Sequence, residues 1–287
     1  MPEPSRAVLI TGCSAGIGRA TALRLAGRGW RVYASARSRR AIADLERAGC
    51  CTLELDVTDE HSMTAAVAAV ERDEGAVGVL VNNAGYGESG ALETIPLDAA
   101  RRQFETNLFG PMRLIQLVVG GMREQRWGKI VNLGSMGGRL TLPGGGHYHA
   151  TKYALEAISD LLRFELRGFG IDVILIEPGL ITTRFAQTAV AGIARRRALT
   201  DHGAARHYER YEAAVANATV GAYDSPLRFF GGGPERVAEA IEAALRRRRA
   251  RGRVPVTASA RLAIATRRLV GDRGWDALLR TQVAPPS

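Results

Sequence analysis

RAVLITGCSAGIGRATALRLAG, Arg6 to Gly27, decides the fold. RAVLIT (Arg6–Thr11) is a nearly continuous apolar run, the pattern of a strand buried on both faces. From Gly18 to Arg28 the spacing changes, and Ala22, Leu25 and Ala26 share one helical face. Between the two lies TGCSAGIG, with its glycines in a Gly-x-x-x-Gly-x-Gly pattern. Gly12 permits a tight turn off the strand, Gly16 a close backbone approach to a ligand, and Gly18 close packing of helix on sheet. The unpaired N–H groups at the helix start, with the helix dipole behind them, suit an anion. A glycine-rich turn with no ligand is the plainer alternative, but the strand–turn–helix setting favours a dinucleotide phosphate site at Gly12, Ser14, Gly16, Ile17 and Gly18.

The same alternation continues along the chain. RVYAS (Arg31–Ser35), TLELD (Thr52–Asp56), GVLVNN (Gly78–Asn83), KIVNLGS (Lys129–Ser135) and IDVILIE (Ile171–Glu177) read as strands separated by helical patterns. Leu97 to Met122 reads as one long helix interrupted near Gly110-Pro111, and another helix starts near Tyr148. Apolar strands alternating with helices predict an α/β fold: a parallel sheet with helices on both faces, doubly wound. No Pro/Gly/Ser-rich linker or internal repeat divides residues 1–287, so a single domain is expected. The pattern blurs over 181–233, a stretch too long for a plain loop and therefore expected to form a substrate-binding lid. Phe185, Tyr208, Tyr211, Tyr223, Phe229 and Phe230 are its aromatic candidates for closing over an apolar substrate. Helical patterning resumes at Pro234–Arg249, and residues 250–287 hold a short strand, RVPVT (Arg253–Thr257), and a basic helical tail.

Net charge is +10, which raises the question of nucleic acid. The arginines are scattered apart from Arg195–Arg197 and Arg246–Arg249, aromatics are 6%, and no recognition module is present, so no nucleic-acid partner is expected. A positive field also attracts a polyanionic cofactor. No apolar run reaches the length of a membrane span and no leader pattern opens the chain, so no membrane partner is expected. Cys13, Cys50 and Cys51 are too few and badly spaced for a disulfide framework or a zinc site. The expectation is a cytoplasmic protein without a metal.

Four further segments carry chemistry. The second strand ends in ASAR, where a carboxylate for a ribose hydroxyl is absent and Arg37 stands instead. A guanidinium matches a phosphate bidentately, so NADP(H) is expected over NAD(H), with Arg37 on the 2′-phosphate. Asp56-Val57 ends the third strand, where the carboxylate can accept from an adenine amino group. NNAG (Asn82–Gly85) ends the fourth, and Asn83, Ala84 and Gly85 suit a backbone lying against the cofactor, while Asn82 alternatively bridges strands. Finally, Ser135 ends the fifth strand, Tyr148 follows thirteen residues on, and Lys152 lies one helical turn beyond. Only two of the 39 basic residues are lysine, Lys129 and Lys152. A carbonyl or alcohol substrate exchanging hydride with a nicotinamide needs a proton moved on oxygen. A tyrosine can move it if a neighbouring ammonium lowers its pKa from about 10. Lysine's slim stem and three rotatable donors can serve both phenol and cofactor ribose, which a planar guanidinium fits differently. Ser135 would orient the substrate oxygen. Tyr148 and Lys152 thus count as both catalytic and cofactor-binding. His147 and His149 flank the tyrosine and are expected at loop and helix-start positions, with His147 the nearer to a pocket.

Taken together, TGCSAGIG, NNAG, the asparagine of FETNLFG, Ser135, YHATK and EPG (Glu177–Gly179) resemble the short-chain dehydrogenase/reductase family over Arg6 to Thr183. The resemblance implies a Rossmann-type domain and a tetrad of Asn107, Ser135, Tyr148 and Lys152, with Asn107 holding a water beside the lysine. It also implies that Pro178, Gly179, Ile181 and Thr182 lie beside the nicotinamide, Thr182 near its carboxamide. TGCSAGIG, VYASAR, FETNLFGPMRL and YHATKYALEA look most like the branch containing 17β-hydroxysteroid and retinol dehydrogenases, which favours NADP(H) and apolar alcohols or ketones. A homodimer or homotetramer pairing through the helices of Leu97–Met122 and Tyr148–Gly168 is what the family suggests. The rival expectation is a non-catalytic NADP(H)-binding sensor.

Overall fold

The computed structural model describes residues 3–199, 203–224 and 229–286. Seven strands, β1 (Val8–Ile10), β2 (Val32–Ala36), β3 (Cys51–Glu54), β4 (Val79–Asn82), β5 (Gly128–Leu133), β6 (Ile171–Pro178) and β7 (Arg253–Val256), form one sheet in the order β3-β2-β1-β4-β5-β6-β7. Every pairing is parallel, with Val8 level with both Val32 and Val79, and Leu80 level with Ile130. The chain works outward from β1 to β3, then crosses back to lay β4 on the other side of β1. That reversal opens a crevice beyond the carboxyl ends of β1 and β4, where such sheets bind ligands.

The period-two alternation of the strands divides the core into two layers. On one face Val8, Ile10, Val32, Ala34, Val81, Val131 and Ile174 pack against α1 (Gly16–Ala26) and α8 (Pro234–Arg246) through Ala22, Leu25, Val237 and Ile241. On the other, Leu9, Tyr33, Leu80, Ile130 and Val173 meet α2 (Glu60–Glu74) and α4 (Gly110–Glu124) through Val67, Val70, Leu114 and Val118. Two asparagines link neighbouring strands and helix: Asn82 Nδ2 donates to Asn132 Oδ1 on the next strand (3.0 Å), and Asn132 Nδ2 donates to Ser159 Oγ (2.9 Å). Asn82 therefore bridges strands.

The long helix expected at Leu97–Met122 is three pieces: α3 (Leu97–Phe104), a π-helical turn (Glu105–Phe109) and α4. The break precedes Gly110-Pro111, because proline is tolerated in the first turn of the helix that follows. Gly110 also needs its bare Cα, since a Cβ would fall 2.2 Å from the Val57 carbonyl oxygen. A long α5 (Gly146–Leu166) carries Tyr148 and Lys152. Within the expected lid, α6 (Phe185–Leu199) and α7 (Gly203–Asp224) are well-formed helices; residues 200–202, 225–228 and the side chains of Arg195–Arg197 lie outside the described residues. The basic tail is α9 (Ala258–Gln282), bent at Gly271, whose φ of 64° breaks the helical path.

Candidate active site

A cleft of about 1060 Å³ opens at the carboxyl ends of the strands. Its phosphate end is built by β1, α1 and β4. Gly12 turns with φ +74°, and a Cβ there would come 2.9 Å from Ala84 Cα, so the glycine lets the turns after β1 and β4 touch. Thr11, which the sequence reading left unassigned, locks that contact: its Oγ1 accepts from the Asn83 and Ala84 N–H groups at 3.0 and 2.9 Å. Asn83 Nδ2 returns a bond to the Thr11 carbonyl at 2.8 Å. Ala15 precedes α1 in extended conformation and offers no side-chain cap, so the first N–H groups of the helix remain for a ligand.

Gly12, Ser14, Gly16, Ile17, Arg37, Asp56, Val57, Asn83, Ala84 and Gly85 all line the cleft. Gly18 does not. It packs behind the turn, where a Cβ would sit 2.3 Å from Asn83 Nδ2 and 2.5 Å from the Gly12 oxygen. Arg37 stands exposed at the rim, whereas Arg39 is engaged with Thr52 and Glu46. The Asp56 carboxylate accepts from the Thr58 N–H and hydroxyl (2.9 and 2.8 Å), which fixes it at the cleft edge. An uncapped helix start, small residues on the floor and a guanidinium at the rim fit a nicotinamide dinucleotide.

Ser135, Tyr148 and Lys152 meet at the other end. Ser135 caps a short 3-10 turn, accepting from the Gly137 N–H at 3.0 Å, and lines the cleft beside Tyr148. The Tyr148 ring is held between His149 and Phe185, with centroids 5.7 and 5.1 Å away. Lys152 Nζ donates to the Leu133 carbonyl at 2.7 Å and lies 5.7 Å from the Tyr148 ring centroid. Burial dominates the titration of both groups. It pushes the phenol up to about 12, against a smaller lowering from Ser135, and pulls the Lys152 amine down to about 8. The expected lowering of the phenol by the ammonium is not what this geometry produces, because the amine's hydrogen bond goes to the Leu133 backbone.

The resemblance-based positions divide. Pro178, Gly179 and Ile181 line the cleft; Thr182 faces a smaller adjoining hollow beside Ser14 and Gly16, and Thr183 takes the place on the main cleft. Asn107, in the π turn, sits just behind the wall. Its Nδ2 donates to the Tyr86 carbonyl (2.9 Å) and Thr151 Oγ1 (3.2 Å), while Oδ1 accepts from the Tyr86 N–H (3.1 Å). A Cβ on Gly85 would touch both Asn107 Oδ1 (3.1 Å) and Lys152 Nζ (3.9 Å), so the two lie around one glycine.

Of the histidines, His149 rather than His147 lines the cleft. Its Nδ1 faces the Gly137 carbonyl at 2.9 Å and its Nε2 accepts from the Leu142 N–H at 3.1 Å, a pattern that specifies the neutral Nδ1–H tautomer. Burial accordingly lowers its pKa. Among the lid aromatics, Phe185 and Tyr223 reach the cleft. Tyr211 instead braces the Gly144 N–H at 2.9 Å, Tyr208 donates to Glu93 at 2.9 Å, and Phe229 and Phe230 are exposed. The tail contributes where nothing in its composition announced it: Gln282 and Val283 line the cleft, and Trp275 Nε1 anchors α9 to the Thr141 carbonyl at 3.0 Å. Among the described residues, no group of three or more His, Cys, Asp or Glu could hold a metal, and no helix is long and apolar enough to cross a membrane.

Comparison with known proteins agrees with this geometry. The family model for short chain dehydrogenases matches residues 6–194. The chain is 39% identical over 227 residues to 17-beta-hydroxysteroid dehydrogenase type 1 of Mus musculus, covering 74% of this chain and 65% of that protein. A short-chain dehydrogenase structure from Streptomyces avermitilis superposes with a TM-score of 0.77 at 30% identity, covering 98% of this chain and 99% of that one. The closed form of a serine dehydrogenase complexed with NADP+ gives a TM-score of 0.73 at 26% identity, covering 87% and 93%. On its glycine turn, its Ser–Tyr–Lys cluster and these matches, the chain belongs to the short-chain dehydrogenase family, and is an oxidoreductase.

Proposed function

We propose that this protein interconverts an apolar ketone or aldehyde with its alcohol, using NADP(H). The observation that carries the reading is the meeting of Ser135, Tyr148 and Lys152 at one end of a cleft whose other end offers the uncapped start of α1. When bound, the nicotinamide would give or take the hydride. Tyr148 transfers a proton to or from the substrate oxygen, which Ser135 orients by hydrogen bond. Lys152 binds the cofactor ribose and, once drawn from Leu133 toward the phenol, favours its ionised form. Asn107 supports the proton path beside Lys152, and Pro178, Gly179 and Ile181 flank the nicotinamide.

Preference for NADP(H) is supported by Arg37 at the end of β2, where no carboxylate stands, and by the NADP+ of the similar serine dehydrogenase. The substrate end is walled by Leu142, Pro143, Phe185, Val215, Tyr223 and Val283, which suits an apolar molecule. Its likeness to a 17-beta-hydroxysteroid dehydrogenase points the same way. Self-association through α4 and α5 is supported by Phe109, Leu161 and Phe164, the last 82% exposed. A cytoplasmic setting suits the free thiols Cys13, Cys50 and Cys51.

The test is cofactor oxidation across a library of apolar ketones and aldehydes, with NADPH and NADH in parallel. Turnover with NADPH well above that with NADH is expected. Tight NADPH binding without turnover on any carbonyl would favour the sensor; preference for NADH would overturn the role of Arg37.

A further inference from the structure

Two carboxylates meet in the protein interior behind the catalytic helix. Glu156 lies one turn beyond Lys152 on α5, and Glu177 precedes Pro178-Gly179 at the end of β6. They are 5% and 2% exposed. Each has one oxygen, Oε1, that is buried and accepts no hydrogen bond from a described donor. Such an oxygen is costly unless something satisfies it.

The charges around the pair come from every neighbouring element. Arg139, after the Ser135 turn, lies 3.5 Å from Glu156 Oε2 and 3.6 Å from Glu177 Oε1. Arg253 on β7 donates to Glu156 Oε2 at 2.9 Å but stands 4.0 Å from Glu177. It also pairs with Asp160, which Arg163 shares at 2.7 Å. Tyr153 is the remaining titratable neighbour. The cations thus hold Glu156 well and Glu177 only at contacts too long for hydrogen bonds. Arg139 and Arg253 each reach both carboxylates, so the two acids lie side by side in the interior, an arrangement that two buried like charges oppose unless a proton is held between them. Burial and the charge of Glu156 push the Glu177 carboxyl up to about 7.

We propose that Glu156 and Glu177 share one proton, and that this acid–acid contact is a positioning device that holds the catalytic turn of α5 against the wall of the nicotinamide site. Three segments of the site meet at it. Glu156 carries the Lys152 turn. Glu177 leads into Pro178-Gly179. Gly138, at the end of the turn capped by Ser135, is pressed between Glu156 Cγ and the Lys152 carbonyl, each 3.0 Å from where its Cβ would be. The shared proton stands on this geometry alone; its effect on turnover rests on the function proposed above.

The sign of the pH effect follows from linkage. A carboxyl raised from 4.5 to about 7 by folding contributes stability that is full below pH 4.5 and lost as pH rises to about 7. The test uses the whole chain without cofactor. Infrared difference spectra are expected to show a protonated carboxyl C=O band at pH 6 that fades with a midpoint near 7 and is missing in Glu177→Gln. The same variant keeps the shape and a hydrogen-bond donor, and is expected to lose the fall in Tm between pH 5 and 7 and to melt above wild type at pH 8. Absence of a titrating band in the wild type, or a Glu177→Gln variant with unchanged pH dependence, overturns the shared proton. Glu156→Gln serves the same infrared test should Glu177→Gln not fold. Positioning is read from turnover: Glu156→Ala is expected to lose about tenfold or more in kcat/KM, and Glu156→Gln to restore most of it. Full activity in Glu156→Ala overturns the positioning role while leaving the carbonyl chemistry intact.

Discussion

Replacing Lys152 by methionine should abolish turnover and yet make the unliganded protein more stable at pH 7. Burial lowers the amine from 10.5 to about 8, and a displacement of that size corresponds to about 3 kcal/mol spent on keeping the group charged in the fold. The amine recovers part of this through its 2.7 Å bond to the Leu133 carbonyl, a charged hydrogen bond worth roughly 1.5–3 kcal/mol. Methionine removes both terms and fills much of the same volume, for a net gain of about 1 kcal/mol. That corresponds to a rise in Tm of about 2–4 °C for a chain of this size. The pH dependence makes the test sharp. Because the folded pKa lies below the unfolded one, the penalty is full below pH 8 and relieved as pH climbs to 10.5, so the advantage of the variant should vanish or reverse near pH 10. Thermal melts of both proteins at pH 7 and 10, without cofactor, measure it. A Lys152→Met protein that melts lower at pH 7, or a gap that does not shrink with pH, would refute the reasoning that desolvation governs this amine.

Three other outcomes follow from the geometry. Arg37→Ala should weaken NADPH binding by about 10–100-fold, the loss of one bidentate phosphate contact, and leave NADH binding unchanged in fluorescence titrations. His149→Ala removes two hydrogen bonds that tie Gly137 to Leu142, at a cost of about 2 kcal/mol. Because folding lowers the pKa of His149, its stabilisation is present above pH 6.5 and lost on acidification, so a Tm series from pH 5 to 8 should show a flatter acid limb in the variant. Gly18→Ala places a methyl 2.3 Å from Asn83 Nδ2 and 2.5 Å from the Gly12 oxygen; it should displace the phosphate turn and weaken binding of NADPH and NADH alike, as isothermal titration would report.

What the sequence made legible was whatever a single segment encodes by itself. The strands stood out because a sheet covered on both faces makes its strands almost wholly apolar, and β5 and β6 fall within a residue or two of KIVNLGS and IDVILIE. The glycine turn was legible because its backbone geometry leaves few alternatives to glycine. Contacts across the fold were not. Thr11 looked like the last residue of a strand, and only the return of the chain to β4 gives it the Asn83 and Ala84 N–H groups. His149 reads as a helix-start residue until the Gly137 and Leu142 loops close on it. Val283 lies beyond a bend at Gly271 that breaks the helical register, so no periodicity could aim it at the cleft. Glu156 was hidden by its own pattern, since a charged residue in YALEA reads as a solvated face, whereas here it is buried against Glu177 and two arginines.

The rarity of lysine shows where the boundary between the two kinds of information falls. It drew attention to Lys152, which does line the cleft. The other lysine, Lys129, is also buried, at 4% exposure, donating to Asp172 at 2.7 Å and to the Arg247 carbonyl at 3.0 Å with no place in the site. Both positions need a compact ammonium that can be threaded through packed side chains to a backbone carbonyl, where a guanidinium fork would demand more room and more acceptors. In a chain that uses arginine elsewhere, lysine therefore marks a narrow buried channel rather than chemistry. What singles out Lys152 is that its channel ends between Leu133 and the phenol of Tyr148, a property of the fold and not of the residue type.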